Sequence, residues 1–233
     1  MLMLLPIVVA LAAVEPAPAA STAPRPTPLT EIGRVRALPA CVPIVAHANG
    51  AITHALENDR TLAVITTNLK NTDFDKLNFL QRRNAIDALM KQAEAMRITS
   101  SAGDAEVKKL REYATNSPDP KRKEELKTFA DALGGALYRQ KKAAVEFMRD
   151  ISIMRGREDA SEVREIMKTA NPAPPLVPQP VSVRTTANVL PDAPTTYNKQ
   201  LQYIGDTLDG LTAGIQTDEG LAADHSIAAT SGC

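Results

Sequence analysis

Tryptophan is absent from this sequence, and phenylalanine and tyrosine together make up only 3% of it. A core must therefore be built from leucine, isoleucine, valine, methionine and alanine, and there are too few rings for a surface that stacks bases. Charge of one sign is also missing: 27 lysines and arginines face 27 aspartates and glutamates. Nothing in that balance favours nucleic acid or an anionic membrane as a partner. Two basic clusters, Lys121-Arg122-Lys123 and Arg139-Gln140-Lys141-Lys142, are diluted by Glu124, Glu125 and Glu146 and read as solvated helix faces.

Chemical motifs are lacking as well. There is no C-x-x-C pair for thiol exchange, no Glu-x-x-His ligand pair of the kind found in di-iron bundles, and no His-Glu-x-x-His. Phosphate-binding glycine loops, nucleophile elbows and paired catalytic carboxylates are not found. The expectation is a protein without a cofactor and without catalysis.

What the chain does carry begins with an export signal. Residues 2–14 are apolar apart from Pro6, and Ala17-Pro18-Ala19 places small residues where signal peptidase needs them. Cleavage after Ala19 is expected, although no lysine or arginine precedes the apolar run. A retained anchor is the alternative, disfavoured because the run is short for a spanning helix. Leu38-Pro39-Ala40-Cys41 faintly resembles a lipidation site, but it stands too far from the apolar run. The organisation expected is a signal peptide at 1–19, a proline-rich linker at 20–42, a helical domain at 43–217 and a flexible tail at 218–233.

The domain is organised by stripes. In 119–155, Leu126, Ala130, Leu133, Leu137, Ala144, Phe147, Ile151 and Met154 recur at alternating steps of four and three, with Gln140 the polar member. A first helix at about 43–69 repeats the pattern through Ile44, Ala48, Ala51, Ala55, Leu62, Ile65 and Leu69, with Asn58 as its polar member. A second, capped by Thr72 with Asp75, should run to about residue 98, and Ser101 with Asp104 should cap a short third through 114. Gly156 should end the central helix, and a short one follows at 159–170. Residues 171–194 hold seven prolines and read as an extended return, with a conceivable strand at 181–186 lying against 32–38. The last helix, at about 195–216, keeps its stripe through Tyr197, Leu201, Ile204, Leu208, Leu211 and Ile215 despite Gly205, Gly210 and Gly214. The fold class is thus all-α: an antiparallel bundle of about four long and two short helices with proline-rich extended segments.

Few residues invite chemistry. Cys41 and Cys233 flank the helical domain, and an even count in an exported chain favours a disulfide between them; a linked dimer or free thiols are the alternatives. His47 and His54 lie two turns apart on one face, too far along the helix to ligate one ion together. As metal ligands they need partners from other helices. Asn58 and Gln140 are either buried amides that select register by demanding a mate or seam positions that drift toward water. Gly134 and Gly135 suggest close packing of a neighbour or a slight bend. The function expected is an exported, non-catalytic bundle acting as an envelope or extracellular interaction or structural module. Its partner would be another protein or a second copy, with no stable membrane insertion after signal cleavage. A small-ligand or metal-binding bundle using His47 or His54 is the rival.

Overall fold

The structure is a computed structural model that describes residues 27–32, 41–170 and 197–230. The expected signal peptide, the proline-rich segment 171–194 with its conceivable strand, and Cys233 lie outside the described residues. Four helices pack against one another: α1 (Val42–Asn71), α2 (Phe79–Asn116), α3 (Pro120–Ala170) and α4 (Tyr197–Thr230). Among the described residues there is no strand, and no helix is long and apolar enough to cross a membrane.

The stripes decide which faces turn inward. In α1 every seam residue from Ile44 to Leu69 is buried, Asn58 included. Successive helices run antiparallel, because Leu69, Ile86, Ile151 and Leu201 share one apolar cluster while Ile44, Leu110, Leu126 and Ala229 share another at the opposite end. Pro120 begins α3 with Asp119 behind it, whose Oδ1 accepts the Lys121 N–H at 3.0 Å and so satisfies an orphan donor. At 51 residues, α3 is about 76 Å long at 1.5 Å per residue.

The two short helices do not exist as separate elements. One helix spans the whole of 79–116, and its stripe runs Ile86, Leu89, Ala93, Met96, Ser100, Gly103, Val107, Leu110, Ala114 without a break. The Ser100 and Ser101 hydroxyls do not cap anything; they donate to the carbonyls of Met96 and Arg97 at 2.9 and 3.0 Å, inside the helix. Gly103 is a packing site: a Cβ there would come within 2.7 Å of Leu137 Cδ2 and 3.3 Å of His54 Cβ. Likewise α3 passes through Gly156 and continues to Ala170, since that glycine keeps a right-handed helical backbone instead of the left-handed turn that ends a helix.

The capping box of α2 also differs from the expected one. Asn78 Oδ1 accepts from the Gln81 backbone at 2.9 Å and Gln81 Oε1 accepts from the Asn78 backbone at 3.2 Å, so the helix begins at Phe79. The residues freed before it make a turn that anchors α4. Phe74 is buried at 1% exposure, its N–H donates to Asn198 Oδ1 at 2.8 Å, and Asp75 Oδ1 accepts the Tyr197 N–H at 3.0 Å. Arg82 lies over the Tyr197 ring at 4.1 Å.

Two expected linkers are partly structural. Residues 218–230, expected to be mobile, are the last turns of α4, and Ala222, Ala223 and Ala229 are core. Residues 27–32 form a strap across α1 and α4. Leu29 is buried, Thr27 donates to Asp224 Oδ1 at 2.7 Å, and the Asn49 amide both accepts from Ile32 N–H (2.7 Å) and donates to Ile32 O (3.0 Å).

These environments make glycine substitutions unequal. Gly210→Ala, with nothing within 4 Å of the added methyl, should raise stability by about 1 kcal/mol through helix propensity. Gly103→Val should lower it by about 2–3 kcal/mol because the Leu137 and His54 side chains must yield. Urea unfolding of the two variants measures both signs.

Candidate functional site

One polar layer crosses the middle of the bundle, and every helix contributes to it. Asn58 of α1, Ser100 of α2 and Gln140 of α3 are fully buried, and Glu219 of α4 is 7% exposed. They lie between the two apolar clusters. Along α1 one cluster ends at Ala55 and the other begins at Leu62; along α3 the boundary falls between Leu137 and Ala143.

The layer is a connected network. Asn58 Nδ2 donates to Ser100 Oγ and to Gln140 Oε1, each at 2.9 Å. Gln140 Nε2 in turn faces three oxygens: Ala55 O at 3.0 Å, Asp59 Oδ1 at 2.9 Å and Glu219 Oε1 at 3.1 Å. Two amide hydrogens are thus shared among three acceptors. Asn58 Oδ1 is left without a partner, an uncompensated acceptor inside the protein. Neither seam amide drifts toward water, and the two bond each other.

Electrostatics concentrate on the carboxyls. Burial is the largest influence on Glu219, followed by the negative charge of Asp59, a hydrogen bond to Asp59 and the charge of Asp218; together they push its pKa up to about 9. Asp59 is raised by burial and restrained by its hydrogen bonds with Glu219 and Gln140. Outside the layer, Arg139 Nε binds Asp218 Oδ2 at 2.7 Å, joining α3 to α4. Gly135 and Gly214 leave room for that pair, since a Cβ at either would press on Asp218 (2.8 Å) or Arg139 (3.2 Å). Gly134 does the same for Arg111 of α2, at 2.8 Å, so the glycine pair serves close packing on two sides.

The histidines are spread along the helices. His47 Nδ1 meets Glu106 Oε2 of α2 at 2.5 Å, with its ring 6.0 Å from that of Tyr113. His54 packs beside Gly103, and its Nδ1 is buried without a hydrogen-bond partner. His225, which no sequence motif singled out, meets Glu125 of α3 at 2.7 Å. Among the described residues, no group of three or more His, Cys, Asp or Glu side chains has the geometry to hold a metal ion. Cys41 is buried at 2% exposure, and its sulfur accepts from Arg122 Nη2 at 3.0 Å.

A cleft of about 550 Å³ lies elsewhere, at the α1–α2 turn, lined by Leu69, Lys70, Asp73, Asn198, Leu201 and Asp206 among others. Its Lys70 ammonium is paired with Asp209 at 2.8 Å. The chemistry of the layer suits it to setting register: a buried amide that must find its mate penalises every alignment in which it does not.

Replacing Gln140 alone by leucine removes the donor shared by Ala55 O and the Asp59 and Glu219 carboxyls and should cost about 3 kcal/mol in denaturant unfolding. The combined Asn58→Leu, Ser100→Ala, Gln140→Leu, Glu219→Leu chain should unfold later than the single variant. Its amide NMR spectrum should broaden as alternative alignments become populated.

No protein-family model, curated protein or solved structure matches this chain.

Proposed function

We propose that the chain is an exported, non-catalytic helical bundle serving as an envelope or extracellular interaction or structural module. One observation carries the reading: the four-helix interior is occupied by two apolar clusters and the polar layer between them, whose side chains are committed to one another. An interior engaged in this way leaves the outer helix faces as the working surface, toward another protein or a second copy.

Export makes a Cys41–Cys233 disulfide the natural closure of the domain. Ala229 and Ile44 belong to one cluster, which brings the end of α4 to the start of α1, three residues beyond Cys41. On the chain-entropy model such a long loop contributes up to about 5 kcal/mol. The rival metal or small-ligand reading draws on the unpartnered, buried His54 Nδ1.

Expression of the whole chain in a secreting host, without a histidine tag, tests both. The exported reading expects a mature N-terminus at Ala20, a Cys41–Cys233 peptide pair in the non-reduced digest, and no stoichiometric metal. Retention in the cytoplasm overturns it. A bound ion lost on His54→Ala would establish the rival instead.

A further inference from the structure

Asp59 Oδ1 and Glu219 Oε1 converge on one nitrogen, Gln140 Nε2, at 2.9 and 3.1 Å, where α1 meets α4. Two carboxyls drawn onto one amide repel each other when both are ionised, and a single proton between them removes that repulsion. The surroundings favour keeping it. From α4 itself comes the negative Asp218, from α1 the carboxyl of Asp59, and from α3 the neutral amide of Gln140. The nearby α3 cation, Arg139, is bound to Asp218.

The part of α4 beyond this pair is the part most dependent on it. Up to Ile215 the inward residues are mainly leucine and isoleucine; after Glu219 they are Ala222, Ala223, Ser226 and Ala229. Small side chains bury little apolar area and so hold the helix weakly.

We propose that Asp59 and Glu219 form a proton-held latch. With one proton shared between them, the carboxy-terminal half of α4 is drawn onto α1 and α3. Loss of that proton places two negative charges in the buried layer and releases that half of the helix. The direction of the pH effect follows from linkage. An acid whose folded-state pKa is raised, as that of Glu219 is to about 9, favours the folded form while protonated. Stability is full below the ordinary glutamate range and is lost progressively as pH climbs toward the raised value. The latch is therefore closed in acid and neutral solution and opens in alkali.

Thermal unfolding and hydrogen exchange of the mature chain between pH 5.5 and 8.5 test the latch. The unfolding midpoint should fall by on the order of 10 °C across this range. Protection of residues 215–230, corrected for intrinsic exchange rates, should fall by at least about a hundredfold. Glu219→Gln keeps a donor toward Asp59 without a titrating proton, so its midpoint should change far less with pH. If that variant does not fold, Asp59→Asn removes the neighbouring charge and should flatten the profile in part, since burial of Glu219 remains, and carbon-13 titration of the wild-type Glu219 carboxyl needs no variant. An unchanged wild-type midpoint, an equal slope in both glutamine and wild-type proteins, or a Glu219 carboxyl already ionised at pH 6 would overturn the proposal.

Discussion

The side-chain amide of Gln140 constrains the whole bundle. A leucine at that position would be content in many alignments, since one apolar neighbour serves nearly as well as the next. An amide is not, because each of its groups, once buried, costs about 1–3 kcal/mol if left unbonded. Gln140 meets that demand with Asn58 on one side and with Ala55, Asp59 and Glu219 on the other. Sliding α1, α3 or α4 by one turn would break part of this set, and sliding α2 would break the bond from Asn58 to Ser100. The apolar clusters on either side supply cohesion, and the layer between them supplies alignment.

Much of the remaining architecture can be understood as fitting helices around that layer. Gly103 lets Leu137 and His54 come close beside it, and Gly135 and Gly214 leave room for the Arg139–Asp218 pair that joins α3 to α4. The α1–α2 turn fixes the start of α4 through Asn198 and Tyr197, while the strap at residues 27–32 crosses its far end through Thr27 and Asp224. The fourth helix, rich in glycine and alanine, is thus positioned by polar contacts at both ends and in the middle.

The helices were legible in the sequence because leucine, isoleucine and alanine recur at four-three spacing, and that signal survives without any tertiary information. What was lost is the continuation of the stripes through small and polar residues. Ser100 and Gly103 hold the seam of α2, yet they resemble a break because serine and glycine favour turns in isolation. Glu219, Ala222, Ser226 and Ala229 prolong the seam of α4, yet they read as a tail because none is a large apolar residue. Asn58 and Gln140 stood out as polar members of apolar stripes. Ser100 and Glu219 could have been found by extending each stripe arithmetically past its last leucine; Asp59 could not, since it lies one residue off the seam.

The specificity of the fold rests on cooperation between amides on different helices. A double-mutant cycle on Asn58→Ala and Gln140→Ala measures that cooperation most directly. Bonded at 2.9 Å in the buried centre of the bundle, the two should show a coupling energy of about 1–3 kcal/mol. Effects that simply add, to within about 0.3 kcal/mol, would show that the two amides act independently and would contradict the claim.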